Sequence, residues 1–320
     1  MIDKENCTYI KSKKCGVCAK VCPVPGCIDY EAKDQELEVT VGNIIVTTGY
    51  KPFDAARDDR FGYGKYPNVV TSLEFERIVN ASGPTGGYIK YRTQDKKGNW
   101  VFQPEGGEPQ KVAIIHCVGS RDENYNKYCS KVCCMYSLKL AHLVTEKLPN
   151  AEVFEYYIDI RAFGKGYEEF YKRIKHEGIS IIRGRTAKVE EKEGKLWLRS
   201  EDIVNEKIIE QQIDMVILAV GLEPREDAND LAKMLNLQQS DGGWFVESNY
   251  ISNPVNTLTG GISVAGVCQG PKDIPDTVAQ ASAAASRVLQ NIMSGKISGS
   301  IKDVTLADVE KNIEKLSITE

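Results

Sequence analysis

Residues Lys111–Cys134, KVAIIHCVGSRDENYNKYCSKVCC, decide the fold of this chain. They open with the apolar run Val112-Ala113-Ile114-Ile115, as a buried parallel strand does, and lead into a stretch whose periodicity predicts a helix over Tyr136–Lys147. The result is a strand–turn–helix. In a dinucleotide-binding domain the turn carries glycines, so that backbone N–H groups at the helix N-terminus can hold a pyrophosphate. Here the turn has one glycine, Gly119, and in place of the others stand Cys117, Cys129, Cys133 and Cys134, spaced C-x11-C-x3-C-C. Thiolate chemistry occupies the position where phosphate binding is expected.

Four cysteines this close together admit several readings. Free cysteines pack as small hydrophobes. Disulfides are disfavoured in a chain with no secretory signal, and adjacent cysteines have diverging side chains that suit two ligands of one polynuclear cluster better than a mutual bridge. Zinc sites usually pair their cysteines as C-x2-C rather than C-C. The spacing therefore favours an iron–sulfur cluster and leaves zinc and structural thiols open.

The chain has 320 residues, enough for two domains with real cores, and a net charge of −4 that gives no electrostatic case for nucleic acid. No apolar run reaches the ~18 residues needed to cross a bilayer, and the N-terminus MIDKENCTYIKSKKC is charged, without a signal-peptide core. The expectation is a cytoplasmic protein with no transmembrane segment. Its ten cysteines fall in two groups, at 7–27 and 117–134, with only Cys268 outside. Such clustering is a mark of ligands rather than of core packing.

The first group holds Cys7, Cys15, Cys18, Cys22 and Cys27. Its core, C-x2-C-x3-C-P, is close to the ferredoxin run C-x2-C-x2-C-x3-C-P, whose last cysteine ligates the other cluster of a two-cluster module. Either Cys7, Cys15, Cys18 and Cys22 close one cluster, or Cys22 serves a second cluster completed from elsewhere. Cys27 is a spare ligand or a buried thiol. A ferredoxin module normally needs two such motifs, and this sequence has one.

Glu38–Tyr50 reads as a strand pair with its second member at Asn43–Thr47, ending in Thr48-Gly49. The same pattern, apolar strand then glycine then proline, returns at Met215–Gly221 and Pro224. Pro67–Asn80 predicts an extended segment passing into a short amphipathic helix capped by Ser72. Loops at 82–87 and 98–108 place a domain boundary near Lys111. Beyond the cysteines the pattern predicts a strand at Glu152–Ile158, a helix at Glu168–His176, strands at Ile179–Ile182, Thr186–Glu191 and Lys195–Arg199, and a return strand at Met215–Val220. Near the end, a strand at Ile262–Val264 leads to Gly266, a Gly- and Pro-rich loop and an alanine-rich helix from Val278 introduced by Asp276-Thr277. An amphipathic helix is expected from Asp303.

Taken together, the strings CGVCAKVCP, NIIVTTGY, NVVTSLEFERIVNASGPTGG, CVGSRDE with YCSKVCCMY, and GVCQGPKDIPDTVAQASAAA resemble the A subunit of heterodisulfide reductase, along nearly the whole chain. The resemblance implies an α/β fold of the thioredoxin-reductase (flavin disulfide reductase) type with a partial ferredoxin module in front. The implied layout is a [4Fe–4S] module at 1–36, two parts of a FAD domain at 37–110 and 223–295, a nucleotide-domain-like unit at 111–222 and a tail at 296–320. The G-x-G-x-x-G segment for the ADP half of FAD is missing from this sequence, as is half of the inserted ferredoxin. The expectation is the C-terminal piece of a split A subunit, working with a companion chain that carries the rest.

The resemblance further implies FAD shared with that companion and one or two [4Fe–4S] clusters, one of them shared between chains if Cys22 or Cys27 follows the two-cluster rule. The metal ligands would be Cys7, Cys15, Cys18 and Cys22, and Cys117, Cys129, Cys133 and Cys134. Flavin contacts would come from Thr48, Gly49, Gly266, Val267, Lys272, Asp273, Val278, Ala279 and Gln280. Lys272 would place a cation by the flavin N1/N5 edge, and Glu76, with Glu74 behind it, would be a proton partner. The implied function is flavin-based electron bifurcation in methanogenesis-type metabolism, with heterodisulfide reductase B and C subunits, a hydrogenase or formate dehydrogenase module, and ferredoxin as partners. The rival classes are an iron–sulfur wiring protein without a working flavin and a zinc-stabilised assembly protein.

Overall fold

The computed structural model describes residues 2–33 and 35–294, so the helix expected beyond Asp303 lies outside the described residues. The chain divides into two compact units, Met1–Val41 and Gly42–Glu320, which moves the first boundary from residue 36 to Val41.

In the first unit, the cysteine spacing is accommodated by two helices, Thr8–Ser12 and Val17–Val21, separated by Lys13 and Gly16 at positive φ. Tyr9 and Tyr30 stack with ring centroids 4.0 Å apart. None of its described residues is buried, and Val17, Val21 and Leu37 are exposed. A unit of roughly 40 residues without an apolar core depends on another source of stability, for which metal is the usual one in a chain rich in unpaired thiols. All five of its cysteines are free.

The second unit is built around a five-stranded parallel sheet in the order Val69–Thr71, Met215–Val220, Lys111–Val118, Glu152–Tyr157, Ser180–Arg183. Its central strands are continuous apolar runs because both faces are covered. Val112, Ile114, Met215 and Ile217 pack beneath the helices, with Leu138, Ala141, Val144 and Ile174. Ala113, Ile115, Val216 and Leu218 face the other way, onto Val189, Leu196, Leu198 and Ile213 of an antiparallel meander, Thr186–Lys192, Lys195–Asp202 and Lys207–Ile213. The last of these strands escapes sequence reading because KIIEQQI is an edge strand with a mixed, half-exposed pattern.

Several expectations need correction. The strand Val69–Thr71 pairs with Met215–Val220, so it belongs to the sheet beyond the boundary expected at Lys111. Glu38–Val41 is not a strand. Ile44–Val46 instead pairs in parallel with Ile262–Val264, a partner distant in sequence, and forms a small sheet over Phe245, Leu237 and Cys268. The repeated strand–glycine pattern has a structural reason: after Gly49 and Gly221 the two chains run antiparallel, Lys51–Pro52 against Leu222–Glu223, as they pass between the two sheets.

Thr71, not Ser72, caps the helix Ser72–Val79. Its hydroxyl accepts from the Glu74 N–H, and the Glu74 carboxylate accepts from the Thr71 N–H at 2.8 Å. This is a capping box. Thr71→Ala is expected to lower stability by about 1 kcal/mol, seen as a lower thermal midpoint, and an unchanged midpoint would show the box to be inert.

Candidate functional site

The cysteine helix starts earlier than its periodicity suggests, at Cys133, and runs to Lys147. Cys133 and Cys134 thus sit in its first turn, where no side chain caps the N-terminus. Such a terminus favours thiolates. Cys117 comes from the end of the central strand, at φ 59, next to a register shift where Ala219 is squeezed between Leu218 and Val220. Cys117, Cys133, Cys134 and Ala219 form one buried cluster, flanked by Tyr136, Ile158 and Ile160.

The thiols act on one another. Contact with Cys133 holds the pKa of Cys117 and of Cys134 below the ordinary thiol value, while that of Cys133 is raised by those same two contacts. Cys129 stands apart and half-buried, its sulfur accepting the Lys131 N–H at 3.3 Å. Among the described residues, no three His, Cys, Asp or Glu side chains close round one point as a single metal ion would need.

The loop between Cys117 and Cys129 is held firmly. Ser120 and Ser130 hydroxyls meet at 2.5 Å, and Ser130 also accepts the Leu222 N–H. Asn126 donates to the Gly119 carbonyl and to Glu223. Buried Asp122 pairs with Arg60 at 2.9 Å and with Arg185. Gly119, at φ 75, lies so close to Phe53 that a Cβ would fall 2.2 Å from its ring. A phosphate-binding loop leaves its amides free. Here side chains and carbonyls of the fold occupy much of the loop.

Two residues that sequence reading missed lie behind the cysteines. His116, in VAIIHCV, and Glu155, in VFEYY, interrupt otherwise apolar strands and meet at 3.5 Å with side chains 1 % and 0 % exposed. Burial disfavours charge on His116, but the Cys134 sulfur and the Glu155 carboxylate outweigh it and push its pKa up to about 10. The available signal was a polar residue inside a continuous apolar run, paired across adjacent strands.

At the other candidate site, the helix expected from Val278 begins at Ile274 and runs to Met293, capped by Asp273 rather than by Asp276-Thr277. Pro275 lies in its first turn, a position proline favours. The Asp273 carboxylate also accepts from the Tyr167 hydroxyl at 2.8 Å. Val278 and Ala279 therefore occupy an exposed second turn instead of the helix start.

Lys272 and Gln280 converge on one loop. Lys272 Nζ donates to the carbonyls of Gly266 at 2.8 Å and Gly270 at 3.1 Å, and to Gln269 Oε1 at 3.3 Å. Gln280 Oε1 accepts the Gly266 N–H at 2.7 Å. Gly266 and Gly270 both need positive φ, at 81° and 150°. Lys272 is thus half-buried and pinned, and burial lowers its pKa. The Thr48 and Gly49 amides point at the buried Cys268 sulfur.

Val267, Lys272 and Asp273 line an apolar cavity of about 840 Å³, whose opposite wall is Val132, Met135 and Tyr136. Tyr50 and Leu222 close its side. Glu76 sits outside it, in a neighbouring cleft that shares Tyr50, Tyr136, Lys139 and Leu222, and pairs with Lys139 at 3.4 Å. Glu74 is consumed by the capping box and by a 2.5 Å pair with Arg92. Among the described residues, no helix is long and apolar enough to cross a membrane.

No family model matches the chain. It is 47 % identical over 300 residues to the A subunit of the H(2):CoB-CoM heterodisulfide,ferredoxin reductase of Methanothermobacter marburgensis, covering 92 % of this chain and 43 % of the relative. It is likewise 47 % identical over 291 residues to the iron-sulfur A subunit of the CoB–CoM heterodisulfide reductase of Methanocaldococcus jannaschii, covering 90 % of this chain and 42 % of that one. The chain therefore spans less than half the length of these relatives. In solved structures it is similar to a thioredoxin reductase of T. acidophilum, with a TM-score of 0.50 at 14 % identity over 78 % of this chain and 65 % of the other. That likeness shows the fold, that of the flavin disulfide reductases, with the antiparallel crossing at Lys51–Pro52 and Leu222–Glu223 joining its two sheets. Over the length that aligns, the chain belongs to the family of heterodisulfide reductase A subunits, a family of oxidoreductase components.

Proposed function

We propose that this chain is an A-type component of a heterodisulfide reductase complex that binds FAD in the apolar cavity and an iron–sulfur cluster at Cys117, Cys129, Cys133 and Cys134. The observation that carries this is the shared wall: Val132, Met135 and Tyr136 of the cavity are contiguous in sequence with Cys133 and Cys134. Residues that would hold a flavin and residues that would hold a cluster thus lie within one turn of one helix.

The donor set fits a cluster. Four thiols are at hand, three of them buried: Cys133 and Cys134 in the first turn of a helix, where the dipole favours thiolate, Cys117 at the end of the central strand and Cys129 in the loop before the helix, with the pKa of Cys117 and of Cys134 held down by their contact with Cys133. The cavity fits a flat apolar ring with a polar edge. Tyr50, Tyr136, Phe170 and Met135 supply the apolar lining, and Lys272 supplies a cation held at fixed distance from the Gly266–Gly270 loop. When bound, the flavin and the clusters supply the one- and two-electron steps. This chain's residues hold the ring, exclude water from it and set the charge beside it.

A second cluster belongs to Cys7, Cys15, Cys18 and Cys22, with Cys27 in reserve. The absence of buried residues among those described in this unit supports a metal-dependent fold. The companion chain finds support in the helix Ile274–Met293, which buries only Ala284 and leaves Ile274, Val278 and Leu289 open. A relative's name includes hydrogen and ferredoxin. With FAD and the clusters bound, the chain would serve electron transfer from a hydrogenase or formate dehydrogenase module to ferredoxin and, with B and C subunits, to a disulfide.

Anaerobic preparation of the chain with its companion is expected to give a flavin spectrum above broad cluster absorption, with iron and acid-labile sulfide in equal amounts. Clusters without flavin would leave the wiring reading, and zinc without iron would overturn both.

A further inference from the structure

His116 and Glu155 are a buried polar pair that nothing described so far uses. Both ring nitrogens of His116 and both carboxylate oxygens of Glu155 are buried without a hydrogen-bond partner. Buried polar atoms left unpaired in a native structure are few, and each calls for a reason such as strain, function or a group the polypeptide does not supply. Elsewhere in the same sheet, polar side chains are either exposed or bonded: the Tyr156 hydroxyl, for example, donates to Gln211 at 2.8 Å.

Their placement follows from the sheet. His116 shares a face with Val112 and Ile114, and Glu155 lies opposite Ile114 on the neighbouring strand, so both point toward the helix that begins with Cys133 and Cys134. The imidazole thus lies between Glu155, 3.5 Å away, and the sulfur of Cys134, which is within its reach but not aligned with a ring N–H. Tyr157 lies at the ring's side, with centroids 6.4 Å apart. A carboxylate behind an imidazole that faces a ligand atom is the usual way a protein orients a ligand-side donor.

We propose that His116, steadied from behind by Glu155, is a positioning residue for the cluster on Cys117, Cys129, Cys133 and Cys134, directing an N–H at the Cys134 sulfur and so favouring the reduced cluster. This rests on the cluster reading given above. Reduction adds negative charge that spreads over the ligating sulfurs, and a donor aimed at one of them stabilises the reduced form more than the oxidised one. Glu155 acts only through His116, by fixing the ring's orientation.

The test is an EPR-monitored redox titration of the full chain, purified anaerobically with its companion, with iron measured on every sample. The signal of this site is the one that disappears in Cys133→Ser. His116→Phe is expected to keep its iron and to lower the equilibrium constant for cluster reduction about tenfold, which is 59 mV for one electron. His116→Gln, which retains an N–H donor, recovers most of that loss. Glu155→Gln shifts the constant in the same direction by less, and adds nothing in the His116→Phe background, because residues that act as one unit are not additive.

A constant within twofold of wild type in iron-loaded His116→Phe overturns the proposal, as does full additivity of the two substitutions. If His116→Phe fails to load, Glu155→Gln decides, since it leaves all four cysteines and the imidazole in place: an unmoved constant there overturns the role equally. Absence from the wild-type chain of any iron that depends on Cys133 is a different failure. It removes the cluster reading itself, and this proposal with it.

Discussion

Cys133→Ser is expected to remove about four iron atoms per chain, with a matching amount of acid-labile sulfide, from anaerobically prepared protein. Cys133 is 1 % exposed, lies in the first turn of its helix and contacts both Cys117 and Cys134. Serine is nearly isosteric, so the packing with Ala219 is retained, but a hydroxyl is a poor ligand for iron. If Cys133 were only a small hydrophobe, the same substitution would bury an unmatched hydroxyl, cost about 1–3 kcal/mol and leave the metal untouched. Iron and stability therefore separate the two readings.

Cys268→Ser is the control. That sulfur is also buried, donates toward the Val46 and Ala265 carbonyls, and lies under the Thr48 and Gly49 amides. Its replacement is expected to leave the iron count unchanged. Iron retained in Cys133→Ser, or lost equally from Cys268→Ser, would remove the assignment of the four-cysteine site.

The second large effect is at Lys272. Lys272→Met is expected to weaken flavin binding by about 10- to 100-fold, the consequence of losing about 1.5–3 kcal/mol from hydrogen bonds made by a charged donor. Three acceptors lose their partner at once: the Gly266 and Gly270 carbonyls and Gln269 Oε1. The loop they belong to borders the cavity at Val267 and Lys272. Titration of FAD into the chain with its companion, followed by flavin fluorescence, measures the change. Affinity within twofold of wild type would return Lys272 to the ordinary class of surface lysines.

The same residue has a pH signature. Burial lowers its pKa below the ordinary 10.5, so between that lowered value and 10.5 the unfolded chain holds more protons than the folded one. The contribution of Lys272 to stability therefore rises with pH through that window. Lys272→Met is expected to flatten the rise in the thermal midpoint measured across it.

How far these features could be read from sequence depended on where their causes lie. The strands at Lys111–Val118 and Met215–Val220 are legible because a parallel strand covered on both faces must be apolar at every position. The grouping of the four cysteines beside them is legible because all four fall between Cys117 and Cys134 along the chain. The start of the helix at Ile274 was obscured by Pro275, which looks like loop but fits the first turn of a helix, where its missing N–H is not needed. Likewise Thr71 rather than Ser72 became the cap because the reciprocal bond from Glu74 selects the residue three positions before it.

The sequence by itself determined the alternation that turns Val112 and Ile114 to one side of the sheet and Ala113 and Ile115 to the other, and it determined which thiols are grouped. Both are local, since they depend on a period of two and on spacing along one chain. Only the tertiary structure decided that Ile44–Val46 pairs with Ile262–Val264, that Lys272 and Gln280 meet at Gly266, and that His116 stands between Glu155 and Cys134. These are contacts between segments distant in sequence, and what selects them is the mutual packing of two covered sheet faces, a property of the assembled core that no single segment carries.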